Sequence, residues 1–178
     1  MDRLDKLNIV ILVVLVFITA GMVTQHELMA KKLAGPETDS TVVLKKLYEK
    51  RLAENAEIYK EVIKLQKESN YSKAMTELEE IIRANPEKTQ SYVLKAQLLN
   101  NLGELAEAVA MYRKAIEMDP DFVDKKSPLF IGNSVMEFIP EARGKLNREK
   151  KLKPGDKTIK AALENIYYLQ RRIAGGCE

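Results

Sequence analysis

The chain has 178 residues, of which 29 are Lys or Arg, 26 are Asp or Glu, and 46% are apolar. This length suffices for one modest domain plus an appendage. A net charge of +3 with both signs interleaved argues against a nucleic-acid binder, which needs a concentrated basic surface. A single Cys and a single His exclude an intramolecular disulfide, a multi-thiolate metal site and a His pair for zinc or for catalysis.

Residues 1–34 contain a candidate membrane anchor. Residues 7–23 carry no charge, and residues 9–18 are an unbroken run of Val, Ile, Leu and Phe. At about 1.5 Å per residue the charge-free segment is roughly 26 Å long, slightly less than a hydrocarbon layer of about 30 Å. Because its insertion is favourable, we predict a single-pass transmembrane helix over residues 7–23.

Two alternatives to a retained anchor stay open, namely a cleaved signal peptide and a buried helix of a soluble protein. A signal peptide has a poor cleavage site here, since Ile18 is bulky two positions before Ala20. Basic residues flank the run equally on its two sides, so the positive-inside rule does not decide its orientation. The segment before the apolar run is short and the segment after it is long. This favours a cytoplasmic N-terminus and an extracytoplasmic domain, which is periplasmic in a bacterium.

Residues 35–39, Gly-Pro-Glu-Thr-Asp, predict a hinge between the anchor and the rest of the chain. After the hinge, apolar residues recur three and four apart, and no stretch alternates with period two for long enough to predict a strand. We therefore expect an all-α domain. Residues 40–54, with their scattered Val and Leu, are expected to extend its first helix backward.

A 34-residue period runs through this helical region. It separates Pro86, Pro120 and Pro154 from one another. The same spacing separates three alanines, each followed four positions later by a large apolar side chain; the pairs are Ala74 with Leu78, Ala108 with Tyr112, and Ala142 with Leu146. One turn of one helix is thus repeated three times.

These residues resemble the tetratricopeptide repeat, a helix-turn-helix of this length with a small residue, a large one a turn later and a closing proline. Residues 89–122 fit the pattern best, with small residues at Ala96, Ala108 and Ala115 and a Leu102-Gly103 turn. Small side chains let two helix backbones approach closely, and the proline cannot continue the helix. The resemblance implies a short α-solenoid.

The other units fit less well. Residues 55–88 form a first repeat, and residues 123–156 form a degenerate third repeat, whose first helix is interrupted by Pro128 and Gly132. Its second helix is expected to open at Pro140. Residues 157–178 are expected to form a capping helix and a tail, with Asp156 as the N-cap. The apolar stripe of this helix comprises Ile159, Ala162, Leu163, Ile166, Leu169 and Ile173.

In such a solenoid the first helix of each unit lines a concave groove that holds a peptide, as the resemblance implies. If Ile58, Val62 and Leu65 face the partner helix, the groove residues lie about 100° round from them. They are Tyr59, Ile63 and Gln66 in the first unit and Val93, Gln97 and Asn100 in the second. The alternative is that Ile63 and Val93 only contact neighbouring units.

No Gly-rich phosphate loop, Ser-His-Asp set or helical His-Glu-x2-His motif occurs in the sequence. We expect no catalytic residue, no cofactor, no metal and no small-molecule substrate. The sequence predicts a membrane-anchored scaffold that binds a protein or peptide partner through its concave face. The alternative is a structural or accessory subunit that joins a membrane complex through its transmembrane helix.

Overall fold

A computed structural model describes residues 39–175 of the chain. Over this range the protein has seven α-helices, one short 3-10 helix over Pro120–Phe122 and no strand, so the all-α prediction is confirmed there. The α-helices are α1 (Asp39–Ile58), α2 (Lys60–Lys67), α3 (Tyr71–Ala84), α4 (Thr89–Leu102), α5 (Leu105–Met118), α6 (Gly132–Leu152) and α7 (Lys157–Gly175).

The candidate anchor at residues 7–23, most of the predicted hinge and the last three residues lie outside the described range. Among residues 39–175, no helix combines the length and the apolar character needed to cross a membrane. The chain divides into two units, Met1–Glu49 and Lys50–Glu178. The described part of the first unit is the beginning of α1.

The leading segment and the first helix of the repeat region are separated by a single residue. Helix α1 ends at Ile58 and α2 begins at Lys60, with Tyr59 between them. The Tyr59 N–H donates to the Asn55 carbonyl at 3.0 Å, and the Ile63 N–H donates to the Tyr59 carbonyl at 2.9 Å. These bonds join residues four apart, so the helical hydrogen-bond pattern passes from α1 to α2 across Tyr59, whose backbone (φ −98°, ψ 9°) departs from helical values.

The helix ends follow the 34-residue period. Helices α3, α5 and α6 end at Ala84, Met118 and Leu152, and a proline stands two positions after each end. A proline disfavours helical conformation in the residue before it, which explains the common stopping point. At the other turn Gly103 adopts φ 83°, a left-handed conformation that favours glycine and ends α4.

Consecutive helices of the second unit pack as pairs. Helix α2 packs against α3, α3 against α4, and α4 against α5, an order consistent with a tetratricopeptide-like α-solenoid. Ala74, Ala96, Ala108 and Ala142 are fully buried, as close approach of helix backbones requires. The small residues of the repeat therefore lie where the helices touch.

The third repeat departs from the sequence prediction. As Pro128 and Gly132 indicate, residues 123–131 form no α-helix, but α6 then begins at Gly132 rather than at Pro140. A Cβ on Gly132 would lie 2.5 Å from the Phe130 ring, so a larger residue at this start would displace that ring. The expectation that this helix opens at Pro140 is wrong.

Helix α6 passes through Pro140 because its apolar residues on both sides of the proline are buried together. Val135, Phe138 and Ile139 lie before it, and Ala142 and Leu146 continue the same buried face. A proline in a helix interior costs about 3 kcal/mol, whereas burying one large apolar side chain contributes about 1.5–3 kcal/mol. Pro140 itself is exposed, so its ring takes up no space in the core.

The last helix begins as predicted. The Asp156 carboxylate accepts hydrogen bonds from the backbone N–H groups of Thr158 at 2.8 Å and Ile159 at 3.2 Å, which is the N-cap arrangement. All six residues of the predicted apolar stripe are buried, and α7 packs against both α5 and α6. Helix α7 starts two periods after α4, in the register of a first helix.

The turn between α2 and α3 contains a strained residue, Ser69, with φ 57°. We expect Ser69→Gly to raise the free energy of unfolding by about 0.5 kcal/mol, because relief of left-handed strain exceeds the greater flexibility of the unfolded chain. Chemical denaturation checks this, with Gly103→Ala as the opposite case, expected to lower stability by about 1 kcal/mol. A destabilised Ser69→Gly protein would contradict the strain.

Tyr112 of α5 makes the stability depend on pH at the alkaline end. Its ring lies 5.3 Å from that of Phe138, and burial raises the pKa of its hydroxyl from 10.0 to about 12. The unfolded chain therefore ionises first, so stability is complete below pH 10 and falls as the pH rises towards 12. We expect a loss of about 1 kcal/mol between about pH 9 and about pH 11 in urea unfolding. The Tyr112→Phe protein should show a shallower pH dependence, and an identical one would contradict the assignment.

Candidate functional site

Helix α4 is the central helix of the candidate groove, and most of it is buried. Its one charged residue, Lys95, forms an ion pair with Glu79 of α3, at 3.0 Å between Nζ and Oε1. The half-buried residues Gln90, Gln97 and Asn100 are uncharged. The surface that α4 presents is therefore neutral and amide-rich.

Tyr59 does not offer a surface to a partner. Its side chain is 0% exposed, and its hydroxyl forms a hydrogen bond of 2.7 Å with the Ser91 hydroxyl of α4. Burial raises the pKa of Tyr59, and the hydrogen bond to Ser91 acts in the opposite direction. The repeat pattern predicts this residue in the groove, whereas the structure places it in the core between α2 and α4.

Val93 and Ile63 also take part in packing. Val93 is buried, which agrees with the alternative that it only contacts neighbouring parts of the protein. Ile63 is half-buried and packs against the core cluster that includes Val62 and Leu78. Of these two, Ile63 alone keeps some exposed surface.

Three of the six predicted groove residues remain as half-buried polar side chains, Gln66, Gln97 and Asn100. Gln66 and Asn100 occupy equivalent places in the repeat, one period apart. Each amide offers two donor hydrogens and one acceptor oxygen, the groups that complement the backbone of an extended peptide. Exposed Lys60 and Lys67 border this face on α2. The face can therefore hydrogen-bond to a peptide without requiring a charged partner.

An ion-pair cluster fixes the helix that leads into this face. The Arg51 guanidinium donates to the Thr89 hydroxyl at 2.9 Å and to the Asp119 carboxylate, and it lies 3.6 Å from the Asp121 carboxylate. It also stands 6.0 Å from the centre of the Phe122 ring. Arg51 thus joins α1 to both ends of the 89–122 unit. Its ion pairs hold the end of α1 that leads into the candidate face.

Sequence reasoning missed Ser91 and Arg51. Both act through partners that are distant in the chain, Ser91 with Tyr59 and Arg51 with Asp119. No local pattern marks a serine inside an apolar helix or an arginine in an exposed leader. The 34-residue period gives a weak signal, because the arginine's partners lie at the start and the end of one unit.

Residues 89–122 match the family model described as the tetratricopeptide repeat. These bounds begin at the first residue of α4 and end at Phe122, after α5. Neither the curated proteins nor the solved structures include one that matches the chain. Tetratricopeptide repeats generally bind protein partners. The match identifies residues 89–122 as similar to a tetratricopeptide repeat, and a repeat of this kind suggests a role in protein–protein interaction or scaffolding.

Proposed function

We propose that this protein is a membrane-tethered scaffold that binds a protein or peptide partner through the first-helix face formed by Ile63, Gln66, Gln97 and Asn100. The match of residues 89–122 to the tetratricopeptide repeat carries the proposal. The uncharged, half-buried amides of α4 support it, because they complement a peptide backbone.

The membrane part of the proposal rests on the sequence of residues 7–23, a charge-free apolar run. We propose a single-pass anchor with the helical domain on the extracytoplasmic side. We also propose that the protein has no catalytic activity of its own, because its sequence lacks the nucleophile, base and phosphate-loop motifs named above.

Site-specific photo-crosslinking tests the face. A photoreactive residue replacing Gln66 in the full chain, in native membranes, should yield a crosslinked partner. The double substitution Gln97→Ala with Asn100→Ala should abolish that crosslink, because two of the amide positions are lost. Asn147→Ala is the matched control, since it removes an exposed amide on α6. An undiminished crosslink in the double variant would contradict binding at this face.

The accessory-subunit alternative is favoured by the same apolar run, since a transmembrane helix can itself recruit a partner. Replacing residues 7–23 with an unrelated membrane span separates the two functions. Retention of the crosslinked partner supports the scaffold, and its loss supports association through the span.

A further inference from the structure

Helix α1 exposes an apolar face near its beginning. Val43, Leu44 and Leu47 are 61%, 49% and 58% exposed. Positions three and four apart share one side of a helix, so Leu47 lies beside both Val43 and Leu44. We call these three residues the Val43 face. An exposed apolar cluster of this kind indicates a surface that binds another protein or a membrane.

One lysine borders the Val43 face. Lys46 lies three positions after Val43 and borders the face, whereas Lys45 lies on the opposite side of the helix, one turn before Glu49. Both lysine side chains are exposed. A short helical stretch with an apolar face and a bordering lysine matches the chemistry of a bilayer surface with anionic headgroups, where acyl chains meet the apolar side and a phosphate meets the ammonium group.

The distance along the chain also favours a bilayer. The apolar run ends at Val23, and helix α1 begins at Asp39. The segment that joins them spans at most roughly 55 Å when fully extended, so an inserted anchor keeps α1 within reach of the membrane. A second copy fits less well, because three apolar side chains over two turns fall short of the three to four heptads of a coiled coil.

We propose that the Val43 face of α1 lies on the anionic surface of the membrane that holds the anchor. The inference rests on the proposed anchor but adds a second, peripheral contact. This contact orients the beginning of α1 along the bilayer.

Fluorescence quenching in reconstituted vesicles tests the contact. The full chain, with Cys177→Ser, carries one environment-sensitive fluorophore on the thiol introduced by Leu47→Cys, or by Glu49→Cys as the control. Glu49 is exposed and lies about 200° round the helix from Leu47. The vesicles contain phosphatidylcholine alone or mixed with phosphatidylglycerol. With the anionic lipid, we expect quenching by doxyl lipid at position 47 and quenching by aqueous iodide at position 49.

Removing Lys46 should weaken the contact. Lys46→Gln is expected to lower the ratio of surface-bound to free helix roughly fivefold in the anionic vesicles, measured from the iodide-accessible fraction at position 47, whereas Lys45→Gln, on the far side of the helix, should change it less. Equal iodide quenching at positions 47 and 49 in both vesicle types would overturn the proposal. Resonance energy transfer between two differently labelled chains would also overturn the proposal if its efficiency rises with the protein-to-lipid ratio. That result would indicate that a second copy of the chain covers the Val43 face.

A further label at position 14 separates this inference from the anchor. Doxyl quenching at position 14 without quenching at position 47 leaves the anchor standing and overturns the peripheral contact. Doxyl quenching at position 47 alone supports the peripheral contact and overturns the anchor. Quenching at neither position overturns both.

Discussion

A chain that ends at Lys153, and so lacks α7, is expected to lose at least about 7 kcal/mol of unfolding free energy. Helix α7 buries five large apolar side chains and Ala162 against α5 and α6, and each large side chain contributes roughly 1.5–3 kcal/mol. That sum is comparable with the whole stability of an ordinary domain, about 5–15 kcal/mol. Circular dichroism during urea titration should show no cooperative transition from α5 and α6.

The matched control for this truncation is a chain that ends at Gly175, which keeps all of α7. It should unfold at the same urea concentration as the full chain, because no buried side chain of the described range is removed. If the chain ending at Lys153 unfolds at that concentration too, α7 is dispensable and its packing against α5 and α6 carries little free energy.

The second large effect is expected from Leu98→Ala in α4. Leu98 is 0% exposed and belongs to the core cluster that joins α2, α3 and α4. Truncating a buried leucine removes its transfer free energy and leaves a cavity, which together cost about 2–5 kcal/mol. Denaturant midpoints with an unchanged slope would measure this loss.

Leu102→Ala provides the control on the same helix, one turn later. Leu102 is 42% exposed, so its truncation is expected to change the unfolding free energy by about 0.5 kcal/mol or less. Similar losses at the two positions would mean that burial along α4 differs from the structure described above.

The candidate face shows where pattern reasoning is limited. A helical wheel places Tyr59, Ile63 and Gln66 on one side of a helix with fair precision. Whether that side is exposed depends on neighbours from other parts of the chain. Here the neighbour is Ser91 of α4, whose hydroxyl forms a hydrogen bond with the buried Tyr59 hydroxyl. The period predicts equivalent positions such as Gln66 and Asn100, but it gives no information on their exposure.

The third repeat shows a similar limit. Proline and glycine rules predict correctly that residues 123–131 form no α-helix. They also predict a helix start at Pro140, which is wrong because tertiary burial of Val135, Phe138 and Ile139 outweighs the local cost of the proline. A local preference of a few kcal/mol yields when several apolar side chains gain burial together.

The sequence by itself determined the all-α class, the helix ends beside Pro86, Pro120 and Pro154, the Asp156 cap and the buried stripe of α7. Each of these is marked by a pattern within one helix or at its end, which the sequence shows directly. Only the tertiary structure decided that Tyr59 and Val93 are buried, that Arg51 binds Asp119, and that α7 packs against both α5 and α6. These features depend on which distant segments meet, and that is set by the burial of apolar surface summed over the whole domain.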